Sequence, residues 1–131
     1  MKRIIFLVIV IGVVCAVIAL QFTDNAGFDV IIQNETEVDV EGLYLTYNNI
    51  HSDIQIPTVR QGDKITINVN PTEEFGENSM SLYYKDHNGK IHQETVFGYF
   101  EKGYFGHAVV TFEDIDEDGL IKMKMVEKMF E

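Results

Sequence analysis

The sequence predicts an all-β domain, a sandwich of about seven to eight strands, held behind one N-terminal transmembrane helix. Three observations predict it. A charge-free apolar run, IIFLVIVIGVVCAVIAL, occupies Ile4 to Leu20 directly behind Met1, Lys2 and Arg3. From Phe28 onward apolar and polar residues alternate with period two, and no segment after Phe22 sustains a period of 3.6. Between the alternating runs stand turn signals, two of which close on glycine: Asp86-His87-Asn88-Gly89 and Asp116-Glu117-Asp118-Gly119.

At about 1.5 Å of rise per residue the apolar run reaches roughly 26 Å, just enough to cross a hydrocarbon core of about 30 Å if Phe22 extends it. Lys2 and Arg3 favour an inside N-terminus, so the rest of the chain is expected on the outer side. A secretory signal has an apolar region of only about 7 to 15 residues, which favours a retained anchor over residues 1–22. Val17-Ile18-Ala19 nevertheless suits cleavage after Ala19, and secretion is the alternative. Cys15, the sole cysteine, reads as a small apolar residue inside the run, because Val13 and Val14 replace the small residue expected ahead of a lipidated cysteine. TDNAG, residues 23–27, is the linker, and residues 28–131 form the domain.

Within the domain Phe28, Val30 and Ile32 alternate with Asp29, Ile31 and Gln33 as a first strand, broken by Asn34-Glu35-Thr36-Glu37. Val38 and Val40, then Leu43, Leu45 and Tyr47, predict one long strand bent or bulged at Gly42. Ile54 and Ile56 make a short strand closed by Pro57. After the turn Arg60-Gln61-Gly62-Asp63, KITINVN alternates most cleanly, with Ile65, Ile67 and Val69 on one face. PTEEFGEN is a polar loop. MSLYYK pairs with KIHQETVFGYF across an Asn-Gly turn, the strongest short-range hairpin signal. HAVVTFE pairs with LIKMKMVE across the second glycine turn.

Composition narrows the function. Without Lys2 and Arg3 the outer part carries 8 basic against 21 acidic residues, a field that repels nucleic acid and anionic headgroups. With no cysteine beyond Cys15, packing must hold a domain of about 100 residues without disulfides. The doubled Gly-Tyr-Phe of Gly98 to Gly106 concentrates aromatic side chains, and Tyr99, Phe100, Tyr104 and Phe105 are the candidate contact residues. The competing reading puts half of these rings in the core. Asp114, Asp116, Asp118 and Gly119 match positions one, three, five and six of an EF-hand loop, but Met125 stands where the closing glutamate belongs. An acidic hairpin turn accounts for the pattern; a weak Ca2+ site at Asp114, Asp116 and Asp118 is the alternative. His51, His87, His92 and His107 show no zinc spacing. Asn34-Glu35-Thr36 has the pattern of a glycosylation acceptor. Nothing has the arrangement of a catalytic nucleophile, so no enzyme is predicted.

VIIQNETEVDVEGLYLTYNN, IPTVRQGDKITINV and SLYYKDHNGKIHQETVFGYFEKGYFG together resemble, in strand order and turn placement, the small extracytoplasmic immunoglobulin-like domains carried behind signal anchors in Gram-positive bacteria. The resemblance implies an immunoglobulin-like sandwich outside the cell membrane and carries over no site residue; the Cys, Trp, Cys core of true immunoglobulin domains is missing. The expected role is a membrane-tethered binding or accessory module without catalysis, contacting a protein or cell-wall partner. A calcium-responsive domain is the alternative, and an envelope hydrolase the third reading.

Overall fold

The computed structural model describes residues 27–131; the expected anchor, its cleavage position and the linker up to Ala26 lie outside the described residues. Among the described residues no helix is long and apolar enough to cross a membrane. Eight strands follow one another: β1 Phe28–Asn34, β2 Tyr44–Tyr47, β3 Ile54–Gln55, β4 Lys64–Val69, β5 Asn78–Lys85, β6 Ile91–Phe100, β7 Phe105–Ile115 and β8 Ile121–Phe130. They form two four-stranded sheets, in the orders β4-β1-β7-β8 and β3-β2-β5-β6. All neighbours are antiparallel except β1 and β7, which run parallel from Phe28 beside Gly106 to Asn34 beside Phe112.

Alternation places the core. Phe28, Val30 and Ile32 of β1, Ala108, Val110 and Phe112 of β7, Leu45 and Tyr47 of β2, and Met80, Leu82 and Tyr84 of β5 are all buried. Two sheets that each expose one apolar face lose it to water only by packing against each other. Ring contacts mark that junction: Phe28 of β1 lies 4.6 Å from Phe97 and 4.8 Å from Phe100, both on β6 of the other sheet. The Tyr84 hydroxyl of β5 accepts the Ile121 N–H of β8 at 2.9 Å, a polar stitch inside the same layer.

One expected strand divides. Gly42 has φ +75°, a left-handed conformation that ends extended backbone and that glycine adopts without strain. Val40 consequently makes only an isolated bridge to Val59, Val38 is 51% exposed, and regular pairing begins at Tyr44. What stops β1 is Asn34, which is 1% exposed. Its Nδ2 donates to the carbonyls of Val38 at 2.8 Å and Val59 at 2.9 Å, and its Oδ1 accepts the N–H of Thr36 at 3.0 Å and the Thr36 hydroxyl at 2.6 Å. A fully committed, buried amide nitrogen offers no attachment point for a glycan in the folded domain.

Candidate functional site

The two ends of the sandwich are chemically different. At one, the described chain arrives. The carbonyl of Gly27 accepts the Gly106 N–H at 3.2 Å, which fixes residue 27 beside the start of β7. A side chain at Gly106 would drive its Cβ to 2.2 Å from the Lys128 carbonyl, so only glycine lets β7 and β8 close here. Around this seam lies a cavity of about 140 Å³ lined by Phe28, Phe75, Phe100, Glu101, Tyr104 and Phe105 among others.

The Gly-Tyr-Phe repeat surrounds the seam, and its aromatic residues take different places. Tyr99 is 42% exposed, and its ring meets that of Tyr104 edge-on, with centroids 6.3 Å apart. Its hydroxyl donates to the Glu101 carboxylate, and that bond, with the carboxylate charge beside it, pushes the phenol up to about 12. Tyr104 is half-buried against the core; its phenol is also raised, by partial burial first and then by the carboxylates of Glu131 and Glu101. Phe105 stacks on Phe130 with centroids 5.3 Å apart, and the Lys128 ammonium stands 5.4 Å above the Phe130 ring. Phe100 is the correction: it has no exposed surface, touches Phe28, and meets Phe75 at 5.7 Å, so its ring serves the core.

Phe130, 41% exposed, was not singled out in the sequence. The hairpin pattern placed it near Phe105, but a register shift between Phe112 and Asp114 is what sets the two directly opposite. Lys102 pairs with Glu74 at the same end.

The opposite end carries the two glycine turns, which are built alike. In the first, the Asp86 carboxylate accepts the N–H groups of Asn88 and Lys90, both at 2.9 Å. In the second, Asp116 accepts those of Asp118 and Leu120, again at 2.9 Å. Each turn is closed by a main-chain bond from its glycine, Gly89 to Asp86 and Gly119 to Asp116. The turns also dock on each other. His87 N–H donates to the Asp118 carbonyl at 2.8 Å, its Nδ1 lies 3.0 Å from the Glu117 carbonyl, and its ring covers Gly119 so closely that a Cβ there would come within 2.7 Å.

Asp114 caps its neighbour Ile115 at 2.9 Å. Among the described residues no group of three or more His, Cys, Asp or Glu side chains converges so as to hold a metal ion. His92 braces the first turn from β6: its Nε2 pairs with Asp86 at 2.8 Å, and its ring stacks on Tyr84 at 5.4 Å. Beside the turns runs an open groove of about 550 Å³, bordered by Val38, Asp39, Glu41, Asp116 and Glu117.

No protein-family model matches the chain, and no curated protein does. An NMR structure of a protein from Eubacterium rectale is similar over 77% of this chain and 88% of its own, with 15% identity and a TM-score of 0.46.

Proposed function

We propose that the chain is a single-pass membrane protein whose outer part is an immunoglobulin-like sandwich, acting as a non-catalytic binding or accessory module that makes contact through its aromatic end. The observation that carries this reading is the position of Gly27. The described chain starts at the end where Tyr99, Tyr104, Phe105 and Phe130 gather, so an anchor at Ile4 to Leu20 delivers the domain with that end nearest the membrane.

Strand wiring supports the immunoglobulin-like part. The sheet order β3-β2-β5-β6 and the β1–β4 pair follow the C′-C-F-G and B-E arrangement of such domains. The β7–β8 hairpin occupies the flank of β1 where strand A lies in that fold.

Tethering is tested on the full chain expressed in cells. Membranes washed with alkaline carbonate should retain the protein, and its mature N-terminus should precede Leu20. Release into the medium with loss of the residues up to Ala19 would establish the secreted form instead.

A further inference from the structure

We propose that the aromatic end docks on the lipid surface itself, with Tyr99, Tyr104, Phe105 and Phe130 at headgroup level. The inference rests on the tethered reading and names the partner of its contact surface.

Reach comes first. Four residues, 23–26, separate the expected anchor's last residue, Phe22, from Gly27, and the five extended steps between them span at most about 18 Å. The headgroup layer on one side of a bilayer takes up about 5–7 Å of that. Because Gly27 is hydrogen-bonded to Gly106, next to Phe105, the aromatic end cannot lie farther from the hydrocarbon than the tether allows. A contact that would be weak between free molecules becomes intramolecular here, with an effective concentration set by the short tether.

Chemistry comes second. Two tyrosines with apolar bodies and polar tips, beside a stacked phenylalanine pair, match the side chains enriched at membrane–water interfaces. The Lys128 ammonium, 5.4 Å over the Phe130 ring, sets a positive charge beside the stacked pair that lipid phosphate oxygens would meet. Asp39, Glu41, Asp116 and Glu117 border the groove at the opposite end, so an anionic surface repels that end. At the aromatic end Lys102 pairs with Glu74, while Glu77, Glu101 and Glu131 keep their charge beside Tyr99 and Tyr104, so an anionic surface repels this end too. Docking is accordingly strongest on zwitterionic lipid and weakens as anionic lipid is added.

The test uses the full chain with Cys15→Ala, reconstituted one copy per nanodisc in phosphatidylcholine, with a nitroxide on Lys102→Cys or, as control, on Asn88→Cys. Lys102 belongs to the aromatic end and Asn88 to the far turn. Collision with a water-soluble nickel complex should be several-fold lower at position 102 than at 88. Adding Phe130→Ser and Tyr104→Ser should raise the value at 102 to that at 88, while circular dichroism stays that of a β-protein. Equal nickel access at the two positions in protein that remains in the disc overturns lipid docking and leaves tethering intact. Protection at 102 in native membranes but not in pure lipid overturns it in favour of a protein partner. Failure of the chain to stay in the disc overturns the tether, and docking with it.

Discussion

Asn34 carries more of the fold than any single polar side chain around it. It answers both carbonyls that approach it, Val38 and Val59, and caps Thr36 in turn, so truncation strands several buried groups at once. Asn34→Ala should cost about 3 kcal/mol in denaturant unfolding, since each orphaned buried group costs about 1–3 kcal/mol. Phe100→Ala should cost about 4 kcal/mol, because it empties a contact between Phe28 and Phe75. Tyr99→Ala, two-fifths exposed, should stay within about 0.5 kcal/mol. A surface ring and a core ring one residue apart in the sequence are thereby separated by one stability measurement. Asp86 adds a pH dependence. The hydrogen bond from His92, opposed by partial burial and assisted by the N–H groups of Lys90 and Asn88, holds its carboxyl below the ordinary 3.8. A carboxyl depressed in the folded state contributes stability that is fully present above the ordinary value and lost as pH falls through the depressed one. The stability gap between the wild type and Asp86→Asn should therefore be constant near neutrality and close only in strong acid.

At the scale of elements, the β5–β6 and β7–β8 hairpins were legible because each turn announces itself: an Asp that accepts two amides, and a glycine at positive φ three residues on. The first strand and β4 were legible from strict alternation. The long strand expected from Val38 was not, because alternation is blind to the left-handed backbone at Gly42 that divides it. Which Gly-Tyr-Phe rings face inward was hidden too. Register shifts between β5 and β6 put Val96 and Phe97, adjacent in sequence, both in the core, and they reset the face on which Tyr99 and Phe100 emerge. Docking of one turn on the other could not be read locally at all, since His87 and Gly119 are distant in the chain. Gly119→Ala forces a side chain both into positive φ and against the His87 ring, and should lower stability by about 1–3 kcal/mol. Because the Asp116 turn is already closed by its own amides, millimolar calcium should leave the thermal midpoint where chelator leaves it. An upward shift would instead credit Asp114, Asp116 and Asp118 with a calcium site, since a ligand of the folded state alone must stabilise it.

For the whole molecule, the parallel β1–β7 pair is the decisive feature. It joins the first described strand to the C-terminal hairpin, and so brings the arriving chain, the Gly-Tyr-Phe repeat and Phe130 to one end. Eleven residues of β7 at about 3.3 Å each then set the acidic turns and their groove roughly 35 Å away. Period-two patterning made the two-layer architecture readable, but not this pairing, because a parallel neighbour distant in sequence leaves no local mark. On the proposed reading, this polarity lets the apolar run at Ile4 to Leu20 hold the aromatic end at the membrane and leave the two glycine turns in water. Labelling of Asn88→Cys in the Cys15→Ala chain on intact cells with a membrane-impermeant maleimide tests this most directly. Full labelling is expected without permeabilisation, in protein that stays with the carbonate-washed membranes. Labelling only after the cells are opened would contradict it.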